Sequence, residues 1–86
     1  MFYVYVLKSL KDGKFYTGYT NNLERRFDEH NAGLSKATKH RGPFELVYYE
    51  ASRNSKDALH RERYLKTTYG KRYLRTRMAY DLRSQE

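Results

Sequence analysis

Phe15-Tyr16-Thr17-Gly18-Tyr19-Thr20-Asn21-Asn22-Leu23-Glu24-Arg25-Arg26-Phe27-Asp28-Glu29-His30 passes from a strand into a helix, and the rest of the chain is arranged around it. The first half is aromatic and β-branched, with one glycine, Gly18, where another group can approach the backbone closely. Asn21-Asn22 stops the strand: an Asn oxygen accepts the free N–H groups of a first helical turn, and Glu24 suits the positive end of a helix dipole. The helix is expected over about 22–31, with Gly33 as its C-terminal stop. Two i,i+4 pairs lie on it. Leu23 with Phe27 is expected to anchor the helix to the core. Arg26 with His30 is expected to set a permanent cation beside a titratable imidazole near the helix's outer edge, an arrangement suited to a phosphate and a proton-transfer partner.

Upstream, Phe2-Tyr3-Val4-Tyr5-Val6-Leu7 is apolar on both faces, which predicts an interior, most buried strand. Lys11-Asp12-Gly13-Lys14 supplies the Asp-Gly turn that returns the chain antiparallel as a hairpin. Downstream, Ser35 to Pro43 (SKATKHRGP) is polar and basic and reads as an exposed loop. Phe44 to Glu50 predicts a third strand beside the first. Asn54 followed by Asp57 predicts a helix start, with the helix running from about Ser55 to Tyr69 and stopped by Gly70. Ala58, Leu65 and Tyr69 form its inward stripe, and Glu62 falls on the same stripe. An inward carboxylate needs a reason, because leaving it unpaired there is costly. Lys71 to about Arg83 predicts a last basic helix, with Leu74, Met78 and Leu82 or Tyr73 and Tyr80 inward, and Ser84-Gln85-Glu86 is expected to fray. The fold class is α+β: a three-stranded antiparallel sheet flanked by helices, in the order β-β-α-β-α-α.

Eighty-six residues suit one small domain over residues 1–86. With no cysteine, neither disulfides nor thiolate metal sites can staple it, and ten tyrosines and four phenylalanines must supply much of the core. No stretch is long enough to span a bilayer and none resembles a signal peptide, so no membrane association and a cytoplasmic location are expected. A formal charge of +8 points to a polyanionic partner, most often nucleic acid.

Five residues stand out together: Tyr5, Tyr16, Arg26, His30 and Glu62. Their pattern resembles the GIY-YIG nuclease domain, a small module of homing endonucleases and of the incision subunit of nucleotide-excision repair. The two tripeptides that name the family are matched by Tyr3-Val4-Tyr5 and Tyr16-Thr17-Gly18, with Tyr3 in place of Gly and Thr17 in place of Ile. Arg26 and His30 match the family's helical Arg and His, and Glu62 matches its metal-binding Glu. The resemblance covers Phe2 to about Leu74 and is closest to short stand-alone members.

The resemblance implies a metal-dependent endonuclease that hydrolyses DNA phosphodiester bonds with low sequence specificity, acting on branched, damaged or single-stranded DNA. In that reading Glu62 holds Mg²⁺ or Mn²⁺, Arg26 neutralises the phosphorane, and Tyr5 is the general base or its relay, with His30 and Tyr16 sharing the proton. A phenol of ordinary pKa is a poor base at neutral pH, so Tyr5 is expected to be acidified by Arg26, the metal or both. Lys36, Lys39, Arg41, Lys66, Lys71, Arg72 and Arg75 are the candidate contacts to DNA, or to RNA, in a monomer or weak homodimer. The alternative is a catalytically inactive nucleic-acid-binding module that keeps the fold.

Overall fold

β1 (Phe2–Ser9) runs through the middle of the sheet because Val4, Tyr5, Val6 and Leu7 leave it no polar face. The computed structural model describes residues 1–83, so the terminal Ser84-Gln85-Glu86, expected to fray, lies outside the described residues. β2 (Phe15–Thr20) and β3 (Phe44–Ser52) pair antiparallel with β1 on either side, giving the order β2-β1-β3. Tyr5 stands opposite Gly18 on one side and Tyr49 on the other. The expected sheet is therefore observed, with β3 two residues longer than its apolar run suggested.

Side chains alternate across β1, so its four buried residues feed two cores. Val4 and Val6 pack with Ala58, Leu65, Leu74 and Met78, which lie on or beside α2 (Ser55–Leu65) and α3 (Thr68–Arg77). Tyr5 and Leu7 pack with Phe44, and Tyr16, Leu23 and Phe27 close over them. Leu23 and Phe27 come from α1 (Leu23–Asn31), where they anchor the helix as their spacing predicts. Each fully buried aliphatic or aromatic side chain contributes about 1.5–3 kcal/mol over exposure.

The caps explain where α1 begins and ends. Asn22 Oδ1 accepts from the Arg25 N–H at 3.1 Å. Gly33, at φ +75°, reverses the chain while the Leu34 N–H bonds the Glu29 carbonyl at 3.0 Å. Asn54 caps α2 in the same way, accepting from the Lys56 N–H at 2.8 Å.

Three expectations about the C-terminal half are corrected. The helix from Ser55 does not reach Tyr69, because the Thr67 hydroxyl accepts from the Gly70 N–H at 3.1 Å and starts α3 instead. Gly70 is thus a buried residue inside α3 and not a helix stop, and Tyr69, expected inward, is 70% exposed. The last basic helix is broken at Met78 into α3 and α4 (Ala79–Arg83). Leu74 and Met78 are buried as expected, whereas Tyr80 is 84% exposed. No helix among the described residues is long and apolar enough to cross a membrane.

Candidate active site

Tyr5 projects from the central strand over Gly18 of the edge strand. A Cβ at position 18 would collide with the Tyr5 hydroxyl and ring, so the glycine makes the space in which the phenol lies. The Tyr5 hydroxyl lies 2.7 Å from His30 Nε2. His30 is 1% exposed, and its Nδ1 lies 2.6 Å from the Thr38 hydroxyl, itself 1% exposed. The expectation that His30 sits at the outer edge of α1 is therefore wrong. The residue faces the sheet, wedged among the rings of Tyr5, Tyr16 and Phe44 at centroid distances of 5.7, 5.2 and 6.1 Å.

Arg26, one turn earlier on α1, remains at the surface of this wall. Its Nη1 donates to Glu29 Oε1 at 3.1 Å and its Nη2 to the Ser35 hydroxyl at 3.2 Å. Its positive charge also acts on the nearby Tyr5 phenol. Burial alone would depress the guanidinium, but its interactions with Tyr5 and Glu29 hold it above the ordinary arginine range. Tyr16 is half-buried beside them, its ring 6.5 Å from that of Tyr5.

The protonation states follow. The positive charge of Arg26 favours the Tyr5 oxygen turning its lone pairs toward the guanidinium and its single proton toward His30 Nε2. His30 is then neutral, protonated at Nδ1, which donates to Thr38. Burial first, and then the charge of Arg26, push the imidazole down to about 4, against a smaller opposing pull from Glu29. Tyr5 moves the opposite way from expectation. Burial raises its phenol above the usual 10, Arg26 offsets only part of this, and the charges of Tyr16 and Glu62 add to the rise. Arg26 alone does not acidify the phenol.

Glu62 reaches the cluster through that field: its carboxylate acts on the Tyr5 phenol from α2. Its side chain is 17% exposed, and Lys66, 52% exposed and one turn on, pairs with it at 3.0 Å. An exposed lysine is a replaceable partner and not a fixed internal cation. Among the described residues no group of three or more His, Cys, Asp or Glu side chains is placed to hold a metal ion. Both nitrogens of His30 are committed and Glu29 is paired with Arg26, which leaves Glu62 as the carboxylate an incoming cation would reach by displacing only an exposed lysine. That donor set fits Mg²⁺, which keeps several waters and takes one or two carboxylates plus substrate phosphate oxygens.

Four of the five residues singled out from the sequence, Tyr5, Tyr16, Arg26 and His30, thus gather at one wall from β1, β2 and α1, while Glu62 on α2 reaches Tyr5 through its charge and contacts only Lys66. Sequence reasoning missed Ser35 and Thr38. Both lie in the basic loop expected to be exposed, and both are buried because their hydroxyls satisfy Arg26 and His30. The signal available was a pair of hydroxyl residues three apart within a run of cations. Of the expected nucleic-acid contacts, Lys36, Lys39, Lys66, Lys71, Arg72 and Arg75 are exposed, while Arg41 is half-buried and paired with Asp12 at 3.3 Å.

Comparison with known proteins identifies the family. The model of the GIY-YIG catalytic domain matches residues 1–76. A UPF0213 protein of Clostridium perfringens is 52% identical over 67 residues, covering 77% of this chain and 71% of that protein. A UPF0213 protein of Natronomonas pharaonis is 48% identical over 66 residues, covering 76% of each chain. Among solved structures, the solution NMR structure of a UPF0213 protein from Bacillus halodurans superposes with a TM-score of 0.54 at 39% identity, over 88% of this chain and 84% of that one.

Proposed function

From the premise that this chain belongs to the GIY-YIG catalytic-domain family, a nuclease-type family, we propose that it is a divalent-metal-dependent endonuclease. Its substrate in this reading is DNA, cut with low sequence specificity at branched, damaged or single-stranded places. The observation that carries the reading is the bonded chain Tyr5 to His30 to Thr38, with the charges of Arg26 and Glu62 felt at the same phenol. A module that only binds nucleic acid has no need of a buried phenol–imidazole pair.

Arg26 keeps a permanent charge at the surface of the wall and stabilises the negative charge that develops on the equatorial phosphate oxygens. Glu62 would hold Mg²⁺ or Mn²⁺ once Lys66 swings into solvent, and would thereby bring positive charge to offset the negative charge that develops as the bond to phosphorus breaks. Because the Tyr5 phenol is not ionised, it serves as a relay and not as a stored base. As water attacks phosphorus, its proton passes to the Tyr5 oxygen while the Tyr5 proton passes to His30 Nε2, and the leaving 3′ oxygen takes its proton from solvent as the P–O bond breaks. The imidazolium is disfavoured by burial and by Arg26, so it gives its proton back through the Tyr5 oxygen to solvent water, which restores the starting state. Tyr16, the more exposed phenol, orients the water at the mouth of the wall.

The test is nicking of supercoiled plasmid and branched DNA with Mg²⁺, Mn²⁺ or EDTA, beside Glu62→Ala. Metal-dependent nicking that Glu62→Ala lacks supports the enzyme. A second reading, a nucleic-acid-binding module without catalysis, draws on the Lys66 ammonium occupying the carboxylate, and binding without nicking under every metal condition would favour it.

A further inference from the structure

On the other face of β2 lies a cleft of about 540 Å³ between the hairpin, α3 and α4. Its floor is apolar: Val6, Leu74 and Met78 are visible through it, each at most 6% exposed. Phe15 stands at its edge, 41% exposed. Lys14, Lys71 and Arg75 converge on its rim from two separate elements. Among the described residues, none of these three cations is held in a salt bridge, whereas Arg26, Arg41, Arg61 and Lys66 each have a carboxylate partner.

We infer that this cleft is a second nucleic-acid subsite, taking an unpaired nucleotide of a single strand that flanks the scissile phosphate. The inference rests on the nuclease reading and extends it to a surface remote from Tyr5 and His30. An apolar floor with an aromatic edge accommodates a base face, and a ring of unpaired cations accommodates the phosphates on either side, which is the pattern of single-strand recognition without base-edge readout. The cleft volume falls within the range of small-ligand sites. Continuity with the catalytic wall comes from β2. Thr17 lines the cleft while its neighbours Tyr16 and Gly18 meet His30 and Tyr5. Because β2 is an edge strand, a nucleic-acid strand can pass around it from one face to the other. The preference that results is for DNA with a single-stranded arm over uniform duplex.

The experiment measures binding in EDTA, so that cleavage plays no part, with fluorescein-labelled oligothymidylate, an abasic oligomer of the same length, and a duplex. Lys71→Glu/Arg75→Glu is compared with Arg53→Glu/Lys56→Glu, which makes the same change of charge on exposed residues elsewhere. Thermal melts confirm that both variants are folded. The cleft pair should weaken oligothymidylate binding at least ten-fold and reduce the salt slope by about 1.4, the value for two phosphate contacts on a single strand. The control pair should stay within about two-fold. Equal weakening by both pairs would mean that only overall charge matters and would overturn the subsite. Phe15→Leu keeps the apolar area and removes the stacking face, so it should weaken oligothymidylate binding while leaving the abasic oligomer unaffected; equal losses on both overturn the base-stacking role. Plasmid nicking by the unmodified chain is scored separately. If the chain binds single strands through the cleft but never nicks, the nuclease reading falls and the subsite stands. Nicking combined with normal binding by the Lys71/Arg75 variant gives the reverse.

Discussion

The hydroxyl of Tyr5 and Nε2 of His30, twenty-five residues apart in the chain, are 2.7 Å apart in the fold, both side chains 1% exposed. Burial and the positive charge of Arg26 keep the imidazole neutral, so Nε2 is free to accept the phenol proton.

This makes stability depend on pH with a definite sign. His30 titrates near 6.5 when unfolded and about 4 when folded. Below 6.5 the unfolded chain takes up a proton that the folded chain refuses, so stability is complete above that pH and is lost as pH falls toward 4. Urea denaturation should show a loss of about 2 kcal/mol between pH 7 and pH 5, a range above most carboxylate titrations. His30→Gln should be less stable at pH 7 and nearly flat across the same range. A wild-type curve equally flat would mean that the imidazole is solvated.

Tyr5→Phe tests the relay. The ring still fills its place over Gly18, but His30 Nε2 is left as a buried acceptor without a donor, which costs about 1–3 kcal/mol. Nicking should fall by at least a hundred-fold, the lower end for a lost proton-transfer group, while DNA binding in EDTA changes less than two-fold. Thr38→Val separates positioning from chemistry, because it leaves Tyr5 intact and frees the Nδ1 proton. Its nicking should fall about ten-fold with a shifted pH profile, and Thr38→Ser should restore both. Failure of Thr38→Ser to rescue would assign Thr38 a packing role alone.

Lys66→Ala bears on the metal. The pair with Glu62 joins a half-exposed lysine to a mostly covered carboxylate, so its own stabilisation is at most about 1 kcal/mol. Removing the ammonium should leave thermal stability almost unchanged and lower the Mg²⁺ concentration for half-maximal nicking by up to about five-fold, because the cation no longer competes. A higher Mg²⁺ requirement in Lys66→Ala would instead place the lysine on the substrate phosphate.

How much of this was legible in the sequence depends on the range of the interactions concerned. The position of β1 was legible because four successive apolar residues require cover on both faces. Arg26, His30 and Glu62 were legible by their resemblance to a family pattern, and the closeness of Tyr5 to Gly18 follows from the pairing of β1 with β2. The environment of His30 was not legible. The i,i+4 spacing that joins it to Arg26 is satisfied equally by an exposed and a buried pair, and only the tertiary placement of the loop carrying Thr38 decides between them. The raised phenol of Tyr5 was missed for the same reason: burial is the largest influence on it and depends on tertiary packing, whereas the expected acidification was argued from nearby positive charge. The break between α2 and α3 was masked by the glycine, whose reading as a terminator was plausible locally and wrong in context.

Gly70 therefore makes the sharpest test of that context. In an exposed helix interior Gly→Ala stabilises by about 1 kcal/mol, because alanine has the better helix propensity and loses less backbone entropy. At position 70 the added methyl would run into the Tyr64 carbonyl and the Leu65 Cα, both backbone atoms at the end of α2 that no side-chain rotation can remove. Relief requires α3 to move away from α2, and that opens the packing of Leu74 and Met78 against Leu65 in the core beneath. The sign should accordingly reverse: Gly70→Ala should destabilise by about 2 kcal/mol or more, in the range of overpacked cores, measured by urea denaturation at pH 7. Because α2 also carries Glu62, the same variant should raise the Mg²⁺ requirement for nicking even under conditions where it remains folded. A stabilised Gly70→Ala would show that the two helices do not approach this closely, and that the glycine is an ordinary helix residue.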